Sequence, residues 1–261
     1  MYPGVSRHAF VTAATYYRQT AAGWERRDGQ TNPAIMDDKL YDLCRLTQLV
    51  SAVSHGALAW ALLDDTAAAA GACRLVEAWI INPDTRMEPS LQHTQIIPGS
   101  SKLDNWAGII DGRSFVELGE CIELLRTSPS WQTAWDATVR AWFASMADGL
   151  LNSRQGKAEG EKANNVATWY DVQVLSYAMF SGEARFRPLI LETLEKVKSR
   201  IASQIMPDGT MPLEMARATS FNYTVAYLEA FTILAPEQAY KTLKQSRLLN
   251  ATGANPQPRY G

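Results

Sequence analysis

Apolar residues recur along this chain at the three- and four-residue spacing of a helix, in one segment after another, and almost nowhere with the alternation of a strand. Between residues 37 and 63 the run is Leu40, Cys44, Leu46, Val50, Val53, Ala57, Leu58 and Leu62. Asp64 and Asp65 then precede Thr66 and an alanine-rich stretch through Trp79 to Ile81, so a second helix folds back antiparallel on the first. The spacing predicts a second hairpin from 115–125 and 131–151, punctuated by Ser128, Pro129 and Ser130. A third pairs 164–180 with Phe186, Leu189, Ile190, Leu194, Val197, Ile201 and Ile205, where Glu192 stands four residues before Lys196 as an intrahelical ion pair. After the Pro207-Asp208-Gly209 turn, 210–218 reads as irregular and 221–234 as helix. The class is all-α, and repeated hairpins with short connections suit a bundle, a solenoid or a closed toroid alike.

No composition break or linker divides the chain, so residues 1–245 are expected to form one domain and 246–261 a loose tail. The 82–113 segment carries three prolines, and a connection of that length is usually functional. By contrast 153–162, SRQGKAEGEK, reads as a solvated loop. A formal charge of −2 gives no broad basic field, which argues against nucleic acid as a partner. Cys44, Cys73 and Cys121 lack CxxC spacing, and His8, His55 and His93 are scattered, so no disulfide framework, metal centre or cofactor is implied. There is no run of eighteen apolar residues and no continuous apolar leader at the start, so no membrane partner or export signal is expected; oligomeric state is not legible.

Two segments combine polar groups with aromatics. In DGTMPLEMARATSFNY, 208–223, Arg217 lies six residues before Tyr223, with Thr219 and Ser220 placed to start a helix. Tyr223 then falls in the first turn, where the helix dipole and the guanidinium favour a phenolate, that is, a base. An arginine bound to carbonyls beside a core tyrosine fits the same letters. In NNVATWYDVQ, 164–173, Asn165 and Trp169 share a helix face, offering an amide for a sugar carboxylate and a ring for a sugar face. Paired asparagines also suit a plain N-cap.

These two segments resemble the alginate lyase-like polysaccharide lyases, with further likeness at 26–33 (RRDGQTNP), 37–50 (DDKLYDLCRLTQLV) and 81–99, covering about residues 24–235. The resemblance implies an incomplete (α/α) toroid of antiparallel hairpins and an acidic poly- or oligosaccharide as partner. It implies cofactor-free β-elimination on a polyuronate, alginate or glucuronan. Tyr223 would take the C5 proton and return one to O4, while Arg217 and Asn165 neutralise the carboxylate. Asn164, Trp169, Tyr170, His93, Gln95, Trp106 and Glu214 would then shape the substrate subsites. The six-residue Arg217–Tyr223 separation resembles the glucuronan and alginate branch. Two departures stand out: the family's usual histidine after the second asparagine is Val166, and the aromatic, proline-rich segment that normally precedes the Asp28-Gly29-Gln30 motif is not seen. They leave two other readings open, proton transfer on a small acidic metabolite and carbohydrate binding without turnover.

Overall fold

The computed structural model describes residues 4–97, 100 and 108–234. It is mostly helical: α1 (Leu43–Leu63), α2 (Thr66–Val76), α3 (Ser114–Leu125), α4 (Asp136–Asn152), α5 (Arg154–Gly160), α6 (Asn165–Ser181), α7 (Arg187–Gln204), the short α8 (Pro212–Met215) and a helix over 220–234, here α9. The α1–α2 turn forms as the aspartates predict. Asp64 adopts a left-handed conformation, φ 54°, and the Asp65 carboxylate accepts the Ala68 N–H at 2.9 Å. α1 starts later than its apolar run, because Asp42 turns its carboxylate to the Val11 N–H at 2.9 Å instead of capping the helix. By length and composition alone α1 could cross a membrane. In the fold it packs on α2 and α3 through Leu46, Leu49, Val50, Val53 and Ala57.

α6 is the axis of the structure. It touches α3, α4, α5, α7 and the 108–113 turn, and fifteen of its seventeen residues are buried. A helix enclosed on every side needs no polar face, but its buried polar groups need partners. Tyr177 donates to the Gly112 carbonyl at 2.7 Å, fastening the 108–113 turn to α6. Asp171 binds Arg200 and Lys196 of α7. Lys196 thus pairs across helices, not with Glu192 as its i,i+4 spacing suggests. An edge-to-face aromatic chain, Phe10–Phe115–Trp142–Phe143, has ring centroids 5.7, 5.3 and 5.1 Å apart. Each ring buried this deeply contributes roughly 1.5–3 kcal/mol, and Phe10 ties the N-terminal strands to the helical core.

The all-α class holds, and among the described residues four short strands accompany the helices. β1 (Val11–Ala13) pairs parallel with β4 (His93–Ile96), and β2 (Tyr17–Thr20) forms an antiparallel hairpin with β3 (Gly23–Arg26). At three or four residues each, they are too short for alternation to register in sequence. The 153–162 segment is also no solvated loop. Ser153 caps α5 by accepting the Gly156 N–H at 3.0 Å, and Glu159 is fully buried with neither carboxylate oxygen hydrogen-bonded among the described residues. Burial pushes its carboxyl up to about 9. The 210–218 stretch holds α8 where irregular chain was expected. The tail beyond 234 and Trp106 lie outside the described residues.

Candidate active site

The β2–β3 hairpin brings its two ends together. Tyr17 faces Arg26 across the ladder, and the Arg27 N–H donates to the Tyr16 carbonyl at 2.7 Å, so Tyr16 and Asp28 emerge side by side. Gly29 then turns with φ +74°, and a β-carbon there would lie 2.8 Å from the Ala218 methyl. Only glycine allows this approach, which seats the Asp28 turn on the chain that carries Arg217.

Asp28 takes the Arg217 guanidinium through two bonds, from Nη2 at 2.6 Å and Nε at 3.1 Å. Arg26 also reaches Asp28, at 2.9 Å. Arg217 Nη2 donates to the Tyr223 hydroxyl at 2.7 Å, and that hydroxyl donates to Tyr16 OH at 2.7 Å. The guanidinium carbon lies 3.9 Å from the Tyr223 ring centroid, so charge and ring are also in contact. The hydrogen bond from Arg217 holds the Asp28 carboxyl below its usual range. Tyr223 sits in the first turn of α9 as expected, its N–H donating to the Thr219 carbonyl at 3.2 Å. Its acidity runs opposite to the expected phenolate. Burial first, then the Tyr16 hydrogen bond, raise the hydroxyl above the ordinary phenol range, and the lowering by Arg217 does not offset them.

Asn165 opens α6. Its backbone N–H and its Nδ2 both donate to the Glu214 carboxylate, each at 2.6 Å, and both residues are 2% exposed. Glu214 therefore performs the capping that the paired asparagines suggested for themselves. It also fixes Asn165 relative to Arg217, because the Arg217 N–H donates to the Glu214 carbonyl at 3.2 Å. Asn165 Nδ2 carries two hydrogens, and Glu214 takes one of them. Asn164 stands at the cap position without a capping bond, and its buried Oδ1 has no partner among the described residues.

Tyr16, Asn164, Asn165, Val166, Arg217 and Tyr223 all line one cleft of about 670 Å³, together with Arg26, Arg113, Lys162, Gln95 and Asp111. Among the described lining residues four are cationic, Arg26 and Arg217 being paired with Asp28, and one is a carboxylate, Asp111. That carboxyl is buried, accepts Thr12 Oγ1 at 2.5 Å and Gln95 Nε2 at 2.8 Å, and is pushed up chiefly by burial. Gln95 has φ +47°, a strained backbone for this residue type, and its N–H donates to Thr12 Oγ1 at 2.7 Å. Among the described residues no three His, Cys, Asp or Glu side chains gather as a metal set would require.

Several expected contacts are placed elsewhere. Trp169 is 2% exposed, with its indole N–H on the Ala226 carbonyl at 3.0 Å, so its ring belongs to the core and offers no face to a sugar. Tyr170 is 8% exposed and borders a different basin. Glu214 does not line the cleft and acts through Asn165, and His93 is likewise not among the lining residues. Tyr16 and Asp28 were not singled out from sequence. The DGQ motif holds Asp28, but nothing local links it to an arginine 189 residues away.

The fold is mostly helical, and one cleft holds a connected Asp28–Arg217–Tyr223–Tyr16 chain at its wall. The sequence profile of the alginate lyase family matches residues 2–246, and the chain belongs to that family. It is similar to a crystal structure of an alginate lyase from Bacteroides ovatus, with a TM-score of 0.82 and 27% identity over 91% of this chain. The chain spans 64% of the length of that protein. No curated protein matches the sequence.

Proposed function

We propose that this protein is a polysaccharide lyase that cleaves a polyuronate, alginate or glucuronan in type, by β-elimination, its helices arranged as an incomplete (α/α) toroid. The observation that carries this reading is the 2.7 Å contact between Arg217 and the Tyr223 hydroxyl, in a cationic cleft shared with Asn165. A uronate carboxylate bound by Arg217 and the second amide hydrogen of Asn165 has its charge reduced, and the C5 proton beside it becomes more acidic. The Tyr223 phenolate takes that proton, the C5–H electrons form the C4–C5 double bond, and the bond from C4 to O4 breaks. The same hydroxyl returns the proton to O4, so one residue serves as base and then acid. The phenolate is regenerated. Neither step needs a metal or a cofactor. Val166 lines the cleft where the family's histidine is expected, which leaves Tyr223 as the group for this chemistry. Because the phenol is raised above its ordinary range, few molecules carry the phenolate near neutrality, and turnover should climb with pH.

The test is to mix the protein with alginate, polymannuronate and glucuronan and follow ultraviolet absorbance of the new double bond, with mass spectrometry of the unsaturated ends. Growth of that absorbance with at least one polymer supports the reading. Its absence with all of them at neutral and alkaline pH overturns it.

A further inference from the structure

Lys162 belongs to the walls of two depressions, the cleft above and an open basin of about 690 Å³ between the end of α5, the 161–163 turn and α7. The basin carries Lys157, Lys162, Lys196 and Arg200, with Glu161 as the carboxylate on its wall and Tyr170 at its side. Its floor is rigid. Arg200, 8% exposed, binds Asp171 and donates to the Lys162 carbonyl at 2.9 Å and the Gly160 carbonyl at 2.5 Å, which fastens the turn to α7. Lys196 reaches the same Asp171 at 3.3 Å while its side chain stays 46% exposed. Asp171 thus serves two cations, and among the described residues neither Lys157 nor Lys162, both exposed, has an ion-pair partner. The protein is acidic as a whole, so this excess of positive charge is local and faces open solvent beside the cleft. The Lys196 ammonium lies 5.7 Å from the Tyr170 ring centroid, adding an aromatic edge to the charged wall.

We propose that this basin is an outer binding site for uronate residues of the same polymer, held by Lys157, Lys162 and Lys196 while the bond to be cut lies in the cleft. It rests on the polyuronate reading. Lys162 is the bridge: a chain leaving the cleft past Asn164 passes over it into the basin, and carboxylates there meet ammonium groups that bind as point charges. A short oligosaccharide filling only the cleft gains nothing from the basin, whereas a long chain gains a second, linked contact.

The experiment uses the full chain with Tyr223→Phe, so that binding is read without turnover, and compares a long polymannuronate or polyglucuronate with the matching trisaccharide. The expected result is an affinity for the long chain about tenfold or more above that for the trisaccharide. Lys157→Glu, on the exposed face of α5, should remove most of that gain and leave trisaccharide binding unchanged. Lys198→Glu makes the same charge change on α7 outside the basin and should keep the gain. No gain with length, a gain that survives Lys157→Glu, or one lost equally in Lys198→Glu overturns the proposal. Length- and Lys157-dependent binding, together with a parent protein that releases no unsaturated ends with Tyr223 in place, would sustain the basin and defeat the lyase reading.

Discussion

Replacing Asp28 by Asn tests whether the Arg217 guanidinium works only where it is held. The side chain keeps its shape and one acceptor oxygen but loses its charge, and with it one of the two bonds at 2.6 and 3.1 Å that orient the guanidinium. Both partners are about a quarter exposed, 27% and 22%, so the pair falls between a solvated ion pair and a buried one and is worth roughly 1–2 kcal/mol. If that energy is spent on positioning, kcat/KM falls about five- to thirtyfold, since 1.4 kcal/mol is tenfold. The pH profile should move as well. The Asp28 charge opposes ionisation of Tyr223, so its removal brings the alkaline limb to lower pH even as the maximal rate falls. Asp28 itself is held below its usual range, so the stability it contributes is present above the unfolded carboxyl value and is lost as pH falls through its folded one. The variant should therefore lose stability near neutrality and match the parent in acid. The assay is initial rate against pH on the polymer that turns over, with thermal unfolding alongside. A rate within twofold of the parent with an unmoved limb would refute the reasoning, as would a loss of about a thousandfold or more, which would put Asp28 in the chemistry itself.

Two further outcomes follow from the same geometry. Glu159 is buried with its carboxyl raised to about 9, so it costs stability wherever the unfolded chain is ionised and the folded chain is not. Glu159→Gln should stabilise by at most about 3 kcal/mol near pH 7 and by nothing below about pH 4.5, measured as denaturant midpoints across pH; a difference that does not vary with pH contradicts it. Val166→His places an imidazole in the cleft wall and should add activity near neutrality, with a limb near its ordinary value of about 6.5. An unchanged profile would mean that position 166 does not face the reacting sugar.

The helices were legible because each one that faces solvent keeps an apolar stripe, and Asp65 capped α2 as its letter predicts. Asn165, Arg217 and Tyr223 were legible as a group and line one cleft. What sequence hid was partnership at long range. Trp169 looked like a sugar platform because helical spacing puts it on the Asn165 face, but α6 is enclosed all round and that face is core. Glu214 looked like a subsite acid, whereas it caps α6 from 49 residues away. Charges around Glu159 suggested solvent, because no local pattern reports that α5 packs inward on α6 and the 108–113 turn. The acidity of Tyr223 went astray similarly. The helix terminus was visible, but burial and the Tyr16 hydroxyl, delivered by a hairpin 207 residues away, outweigh it.

The phenol oxygen of Tyr223 can be removed with little else disturbed. Tyr223→Phe keeps the ring beside Arg217, and both proton transfers should stop. Formation of unsaturated ends from the best polyuronate should then fall by roughly a thousandfold or more, the thermal unfolding temperature staying close to the parent's. A Tyr223→Phe protein that still produces those ends within about tenfold of the parent rate would show that another group moves the C5 proton.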